Sequence, residues 1–348
     1  MKGGQSEVTD ARAMTGSNVT IRDVARMAEV SIATVSRALN GNDSVSLATR
    51  KHVLRVAGEL DFVPHGGARS LSLRRTDTIG VLLPDLHGEY FSELIRGLDL
   101  GARGSGQHLL LSASHGEIGE AIAALRTMRS RVDGLVVMSP FAQGDLLAKA
   151  VNGVIPLVRL NSRDIRQSDS CFAIDNYLGA FEITQHLIER GHATISFVAG
   201  PTDNPDAADR LRGFKDAHAR AGKAAGPILA GNFRAESGFA AARKLLETKL
   251  PDAIFAANDD MAIGCLEALR NGGVSVPDQV ALAGFDDIPM SRLLDPPLTT
   301  ARVPIAEMGR LAVECCVELV RGRTITPGCR LFAPELVIRA SSGAIQRP

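Results

Sequence analysis

The 348-residue chain is 45% hydrophobic and 22% charged, the balance of a globular protein with room for two or three domains and a sizeable core. Its net charge of zero hides an asymmetry: residues 1–75 hold 11 Lys+Arg against 7 Asp+Glu, and the remainder holds 28 against 32. A small basic part on an acidic body confines any polyanion contact to the first part, and no run approaches the ~18 apolar residues of a transmembrane helix.

Residues 1–18, "MKGGQSEVTDARAMTGSN", have no apolar run and read as a disordered tail, neither signal peptide nor membrane anchor. A cytoplasmic address is expected. A first domain is set at 19–63, with three helical patterns from Thr20 to about Phe62 and no strand. "TIRD" offers a capping box between Thr20 and Asp23, and Val24, Ala25 and Ala28 repeat at helical spacing. After a tight connection at Glu29–Val30, Ser31 caps a second helix, "SIATVSRALN". At 100° per residue, Val35, Ala38 and Leu39 share its inner side, and Ile32, Ala33, Ser36, Arg37 and Asn40 the outer. A third helix starts near Ser46 with Val53, Val56, Ala57 and Leu60 as its stripe. Two short helices across a tight turn, braced by a third, predict a helix-turn-helix.

Residues 64–76 read as a hinge linker, small, polar and basic in "HGGARSLSLRRT", with weak helical character from Ala68 to Leu73. From 77 to 342 apolar runs alternate with amphipathic helical patterns: "TIGVLLP", "HLLLSAS", "GLVVMSP", "IPLVRLN", "TISFVAGP", "AIFAAND" and "VALAGFDD". Aliphatic strands of this kind belong in parallel sheets covered on both faces. A break near "SRDIRQSDSCFAIDN" predicts two lobes, roughly 78–161 and 175–290, with a strand-rich return after Leu298. Residues 343–348 are a tail.

The outer side of the second helix carries the chemistry of major-groove reading. An arginine pairs bidentately with guanine, and small apolar groups meet thymine methyls. In "ARSL", Ala68, Arg69 and Leu71 suit the minor groove, where an apolar wedge can unstack a base step. Enzymatic signatures are absent: there is no G-x-G-x-x-G after a strand, no P-loop, no G-x-S-x-G and no H-E-x-x-H. The chain is read as a non-enzyme without cofactor or metal. The pairs Asp259–Asp260 and Asp286–Asp287 each predict one cleft carboxylate and one structural one. His186 and His192 are read as structuring a helix end. Cys171, Cys265, Cys315, Cys316 and Cys329 show no CxxC pair or metal-ligand spacing, and are expected as buried free thiols of a reducing compartment.

"TIRDVARMAEVSIATVSRALNG" resembles the DNA-binding head of the LacI/GalR family of bacterial transcription regulators, and "VPHGGARSL" its hinge. "GHATISFVAGP", "DRLRGF", "PDAIFAANDDMAIG" and "VALAGFDDIP…PPLTT" are similar to its regulatory core, so the likeness runs from about Thr20 to Ser342. The resemblance implies an all-α helix-turn-helix domain followed by a two-lobed α/β core like periplasmic sugar-binding proteins. It also implies a homodimer on a pseudopalindromic double-stranded operator. By position it makes Ile32, Ala33 and Arg37 the base readers, with Thr34 and Ser36 towards the backbone and Leu71 as the wedge. It places Tyr90, Phe91, Asn161, Arg210, Phe233, Asn258 and Asp286 around an effector, with Arg212 as competitor to Arg210. Asn161 stands where the family commonly has an acid, and Gly66–Gly67 where better helix formers are expected. "ASSGAIQRP" lacks the leucine heptads of a tetramerising tail, so a dimer is expected. The expected effector is a sugar or sugar derivative that induces, with a nucleobase-responsive corepressor-type regulator as the alternative. A transport component lacks its secretory signal here, and a sugar kinase with a regulatory domain lacks a phosphate-binding motif.

Overall fold

Asp23 accepts from both the backbone N–H (3.0 Å) and the hydroxyl (2.7 Å) of Thr20, which starts the first helix. The computed structural model describes residues 19–39, 44–62, 75–138, 150, 155–162 and 170–343, and the chain divides into two compact units, one up to Thr76 and the other from Asp77. The tail expected at 1–18, residues 344–348 of the tail expected at 343–348, and Asn40, Gly66, Gly67, Ala68, Arg69 and Leu71 lie outside the described residues.

In the first unit, α1 (Ile21–Met27), α2 (Ile32–Leu39) and α3 (Leu47–Glu59) enclose a core of Val24, Ala25, Ala28, Val35, Ala38, Val53, Val56 and Ala57. Glu29 turns the chain with φ +54°. Ser31 Oγ accepts from the Thr34 N–H at 3.0 Å and caps α2. At the other end Arg50 of α3 donates to the Ala38 carbonyl at 3.4 Å, binding α3 to the end of α2.

The second unit has two lobes. The first is a six-stranded parallel sheet ordered β11-β5-β4-β3-β1-β2: β1 (Thr78–Leu83), β2 (His108–Ala113), β3 (Gly134–Met138), β4 (Leu157–Leu160), β5 (Ser170–Ile174) and β11 (Gly328–Phe332). Its helices include α4 (Glu89–Gly104), α5 (Ile118–Met128) and α10 (Ile305–Val320). The second sheet is ordered β7-β6-β8-β9 and is also parallel: β6 (Ile195–Val198), β7 (Ile228–Leu229), β8 (Ala253–Ala256) and β9 (Ala281–Ala283). It is packed by α6 (Asn176–Glu189), α7 (Pro205–Arg220), α8 (Ala235–Glu247) and α9 (Asp259–Asn271). β10 (Thr300–Arg302) and β12 (Glu335–Val337) pair antiparallel beside it. All-aliphatic strands such as β1 are buried on both faces, as parallel sheets require.

The predicted break at 162–176 is partly a strand. β5 lies inside it, between β4 and β11 in the first sheet, because its apolar side chains are covered by the returning C-terminal segment. The chain thus crosses between lobes after β5, after β10 and after β11. Helices meet closely where glycines face backbone: a Cβ on Gly97 of α4 would overlap the Ala306 carbonyl of α10, and one on Gly264 of α9 that of Ala235 of α8.

Among the described residues no helix is long and apolar enough to cross a membrane.

Candidate functional site

The head presents a mixed outer surface. Val35 and Ala38 of α2 are buried and Leu39 half-buried, while Ile32, at 46% exposure, Ala33 and Arg37 face out. Thr20 and Ser31 are also exposed, and Thr34 and Ser36 half-exposed. An isoleucine, an alanine and an arginine are thus held outward by a helix whose other side is fixed in a core. That arrangement fits base edges in a major groove, which a single α-helix can enter.

The larger site is a cavity of about 580 Å³ between the two lobes. All seven expected effector residues line it. Tyr90 and Phe91 come from the first turn of α4, and Asn161 from the end of β4. Arg210 comes from α7, Phe233 precedes α8, Asn258 caps α9, and Asp286 follows β9. Arg212 is not part of it: it pairs with Asp209 at 2.9 Å and lies 4.8 Å over the Tyr177 ring.

Arg210 organises the floor. Its Nε donates to Asn176 Oδ1 at 2.8 Å, Nη1 to the Ala257 carbonyl and Nη2 to Asp286 Oδ1 at 3.3 Å. Its guanidinium lies 3.8 Å over Phe285 and 5.6 Å over Phe233. Burial pushes Asp286 up to about 8, against the pull of Arg210. Burial, then the charge of Asp286, raises the Tyr90 phenol as well. Asn161 Nδ2 donates to Tyr90 Oη at 3.3 Å, and the other end of that amide, Oδ1, is buried with no partner. Asn258 spends its side chain partly on structure, with Oδ1 accepting from the Met261 N–H and Nδ2 donating to the Phe233 carbonyl, both at 3.0 Å. Asn161, Phe233 and Asp286 have φ of +45°, +68° and +112°. Non-glycine residues held there cost about 1–3 kcal/mol each, a strain that collects at ligand clamps.

The carboxylate pairs divide. Asp260 and Asp286 line the cavity. Asp259 is buried and accepts from the hydroxyls of Ser291 and Thr300 at 2.6 Å and the Ile288 N–H at 3.0 Å. Asp287 binds Arg302 at 2.7 Å and Arg339 at 2.6 Å. Asp259 and Asp260 open a helix, so helical rotation rather than strand alternation separates them. His186 Nε2 meets the Ser342 hydroxyl at 2.9 Å.

Sequence reading missed much of the rim: Asp85, His87, His115, Asn204, Asp206, Arg234 and Glu236 also line the cavity. Asn204 had a signal, since an Asn before Pro205 marks a helix start, and its Oδ1 accepts from the Asp206 and Ala207 N–H groups. Asp85, His87, His115 and Arg234 sit in loops with no local pattern, and Asp206 and Glu236 lie in the first turns of α7 and α8. The cysteine expectation fails in part: Cys329 is exposed and Cys315 half-buried, since neither β11 nor the outer side of α10 is fully covered. Among the described residues no group of three acidic, His or Cys side chains could hold a metal ion.

A helix-turn-helix unit joined to a two-lobed core with a polar cavity defines a regulatory protein with a small-molecule-binding domain. Residues 20–65 match the pattern of bacterial regulatory proteins of the lacI family, and 184–342 that of a periplasmic binding protein-like domain. The HTH-type transcriptional repressor CytR of Escherichia coli is 34% identical over 330 residues, which are 94% of this chain and 97% of that protein. The lac repressor dimer bound to operator and the anti-inducer ONPF superposes with a TM-score of 0.85 at 28% identity, covering 94% of this chain and 100% of that one. The complex of the transcriptional regulator CelR with cellobiose gives a TM-score of 0.70 at 31% identity, over 93% and 99%. The chain belongs to the lacI family of bacterial regulatory proteins, a family of transcriptional regulators with an effector-binding core.

Proposed function

We propose that this chain is a cytoplasmic, homodimeric transcriptional repressor that reads a pseudopalindromic operator with Ile32, Ala33 and Arg37, and lets go when a neutral sugar or sugar derivative fills the core cavity. The observation that carries the ligand class is the cavity's chemistry. Five carboxyl groups line it, Asp85, Asp206, Glu236, Asp260 and the mostly protonated Asp286, against two arginines, Arg210 and Arg234, so acids still outnumber cations. A phosphate or carboxylate ligand would meet net repulsion there, whereas hydroxyls can donate to carboxylates and to the unpartnered Asn161 Oδ1. Tyr90, Phe91 and Phe233 add ring faces for the apolar side of a sugar. The CelR relative, solved with cellobiose, supports the same class.

Effector contacts from both lobes favour one lobe arrangement over another, and operator affinity follows that equilibrium. Neither function needs bond-making chemistry.

The test is a thermal-shift screen of the full-length protein against neutral sugars, their phosphates, sugar acids and nucleobases. A ligand that binds only the folded protein adds about 2.7 kcal/mol at a hundredfold excess over Kd. A neutral sugar should raise the melting temperature and its phosphate should not, and the hit should weaken binding to an operator duplex. Stabilisation by anionic ligands alone overturns the ligand class, and stabilisation by nucleobases alone selects the alternative.

A further inference from the structure

The head and the cavity leave one chemical feature of the first lobe unused. In the sheet, Cys329 of β11 stands in register with Cys171 of β5, and Cys171 in register with Arg159 of β4. Neighbouring strands lie about 4.8 Å apart and register partners project from the same sheet face, a separation within the ~4.4–6.8 Å between the Cα atoms of disulfides. Cys171 Sγ contacts the Ser162 carbonyl at 3.8 Å, and the Cys329 thiol is its register neighbour on the adjoining strand. β11 is the outer strand, so Cys329 is exposed whereas Cys171 is 1% exposed.

We infer that Cys329 and Cys171 form a reversible peroxide-sensitive disulfide site, Cys329 reacting first and Cys171 resolving it. The thiol contact from Cys171 holds Cys329 below the ordinary thiol range, so it is the better thiolate and the accessible one. The same contact with Cys329, then burial, raises Cys171 while the neighbouring Arg159 charge opposes the rise, so Cys171 waits as a thiol.

The steps balance. The Cys329 thiolate attacks one peroxide oxygen, the O–O bond breaks, hydroxide leaves, and Cys329 becomes a sulfenic acid. Cys171 then gives up its proton and attacks the Cys329 sulfur; the S–O bond breaks, and hydroxide leaves with that proton as water. Two thiols and one peroxide give one disulfide and two waters. In a reducing compartment such a bond is transient, as redox-sensing disulfides are.

The location matters for the fold. β5 and β11 both run out of the first lobe towards the second, and the Asp175 N–H donates to the Phe332 carbonyl at 2.9 Å where they leave. The disulfide would tie two of the crossing strands together before the chain passes between the lobes.

Full-length protein is treated with hydrogen peroxide, alkylated under denaturing conditions, digested and analysed by mass spectrometry. The expected result is one peptide linking Cys171 to Cys329, lighter by two hydrogens, with iodoacetamide labelling of Cys329 lost and restored by dithiothreitol. Cys265→Ser should keep the link. In Cys329→Ser, an exposed change that spares the core, Cys171 should remain a thiol. In Cys171→Ser, if circular dichroism shows it folded, Cys329 should stop as a sulfenic acid trapped by dimedone. Unchanged Cys329 labelling, conversion of Cys329 to sulfinic acid with Cys171 still reduced, or oxidation of Cys171 in Cys329→Ser would each overturn the proposal.

Discussion

Arg234 and Asp85 bridge the two lobes at the rim of the cavity, with Nη2 2.7 Å from Oδ2. Glu89 adds a second bond across the gap by accepting from the Met290 N–H at 2.8 Å. The lobes are therefore held in this arrangement partly by polar contacts that opening would break.

Asp85→Asn should weaken this arrangement of the lobes slightly. The pair is open to solvent on the Arg234 side, and exposed ion pairs contribute about 0.2–1 kcal/mol. Effector affinity by calorimetry should fall by no more than about fivefold, with the melting temperature of the ligand-free protein nearly unchanged. A loss of a hundredfold or more would mean that Asp85 contacts ligand directly.

Buried carboxyls predict the pH response. Burial lifts Asp286 to about 8 and Asp259 to about 7, whereas an unfolded carboxyl ionises near ~3.9. Between those limits the folded state keeps protons that the unfolded state has released, so stability falls as pH rises from about 4 to about 8. Urea unfolding across that range should show a negative slope, and Asp286→Asn, which cannot ionise, should flatten it. A slope rising with pH in the ligand-free protein would show both groups ionised when folded.

Two glycine-to-alanine changes should act in opposite directions. Helix propensity alone favours alanine by up to ~1 kcal/mol. At Gly58 on α3 nothing lies within 4 Å of an added Cβ, so Gly58→Ala should stabilise the head by about 0.5–1 kcal/mol. At Gly264 the Cβ would strike the Ala235 backbone, which cannot move as a side-chain tip can. Overpacking then wins, and Gly264→Ala should cost about 1–3 kcal/mol or more. Denaturant midpoints of the two variants decide it.

Arg37→Ala should lose about 1–3 kcal/mol of operator binding and relax choice at one base pair per half-site. Titration against duplexes substituted one base pair at a time is the check. A uniform loss across all of them would make Arg37 a phosphate contact.

The head could be read from the chain because its signals are local, whereas the seven expected cavity residues came from the resemblance to the family and not from any local pattern. Val53, Val56 and Ala57, with Leu60 at the cap, spell the stripe of one helix, and short aliphatic runs such as "TIGVLL" between turn residues suit strands buried on both faces. β5 was not readable, and β11 was readable only as part of the strand-rich return after Leu298. "SCFAI" is short, and "GCRLF" is exposed except at Phe332; each becomes a strand through a partner far away in the chain. The same non-local register joins Cys171 to Cys329. Rim residues such as Asp85 and His115, after the paired strands β1 and β2, lie in loops that strand pairing brings together, and Arg234 reaches them from the other lobe.

An outward-facing α2 that reads duplex DNA under control of the core cavity couples two distinct sites. The most direct test of that coupling is selection by the full-length protein from a pool of randomised duplexes, repeated with the sugar that stabilises it in the thermal screen. Enrichment of a two-fold-symmetric sequence is expected, with affinity dropping at least about tenfold when the sugar is present, a coupling of about 1.4 kcal/mol. No enrichment over the starting pool, with or without the sugar, would contradict it.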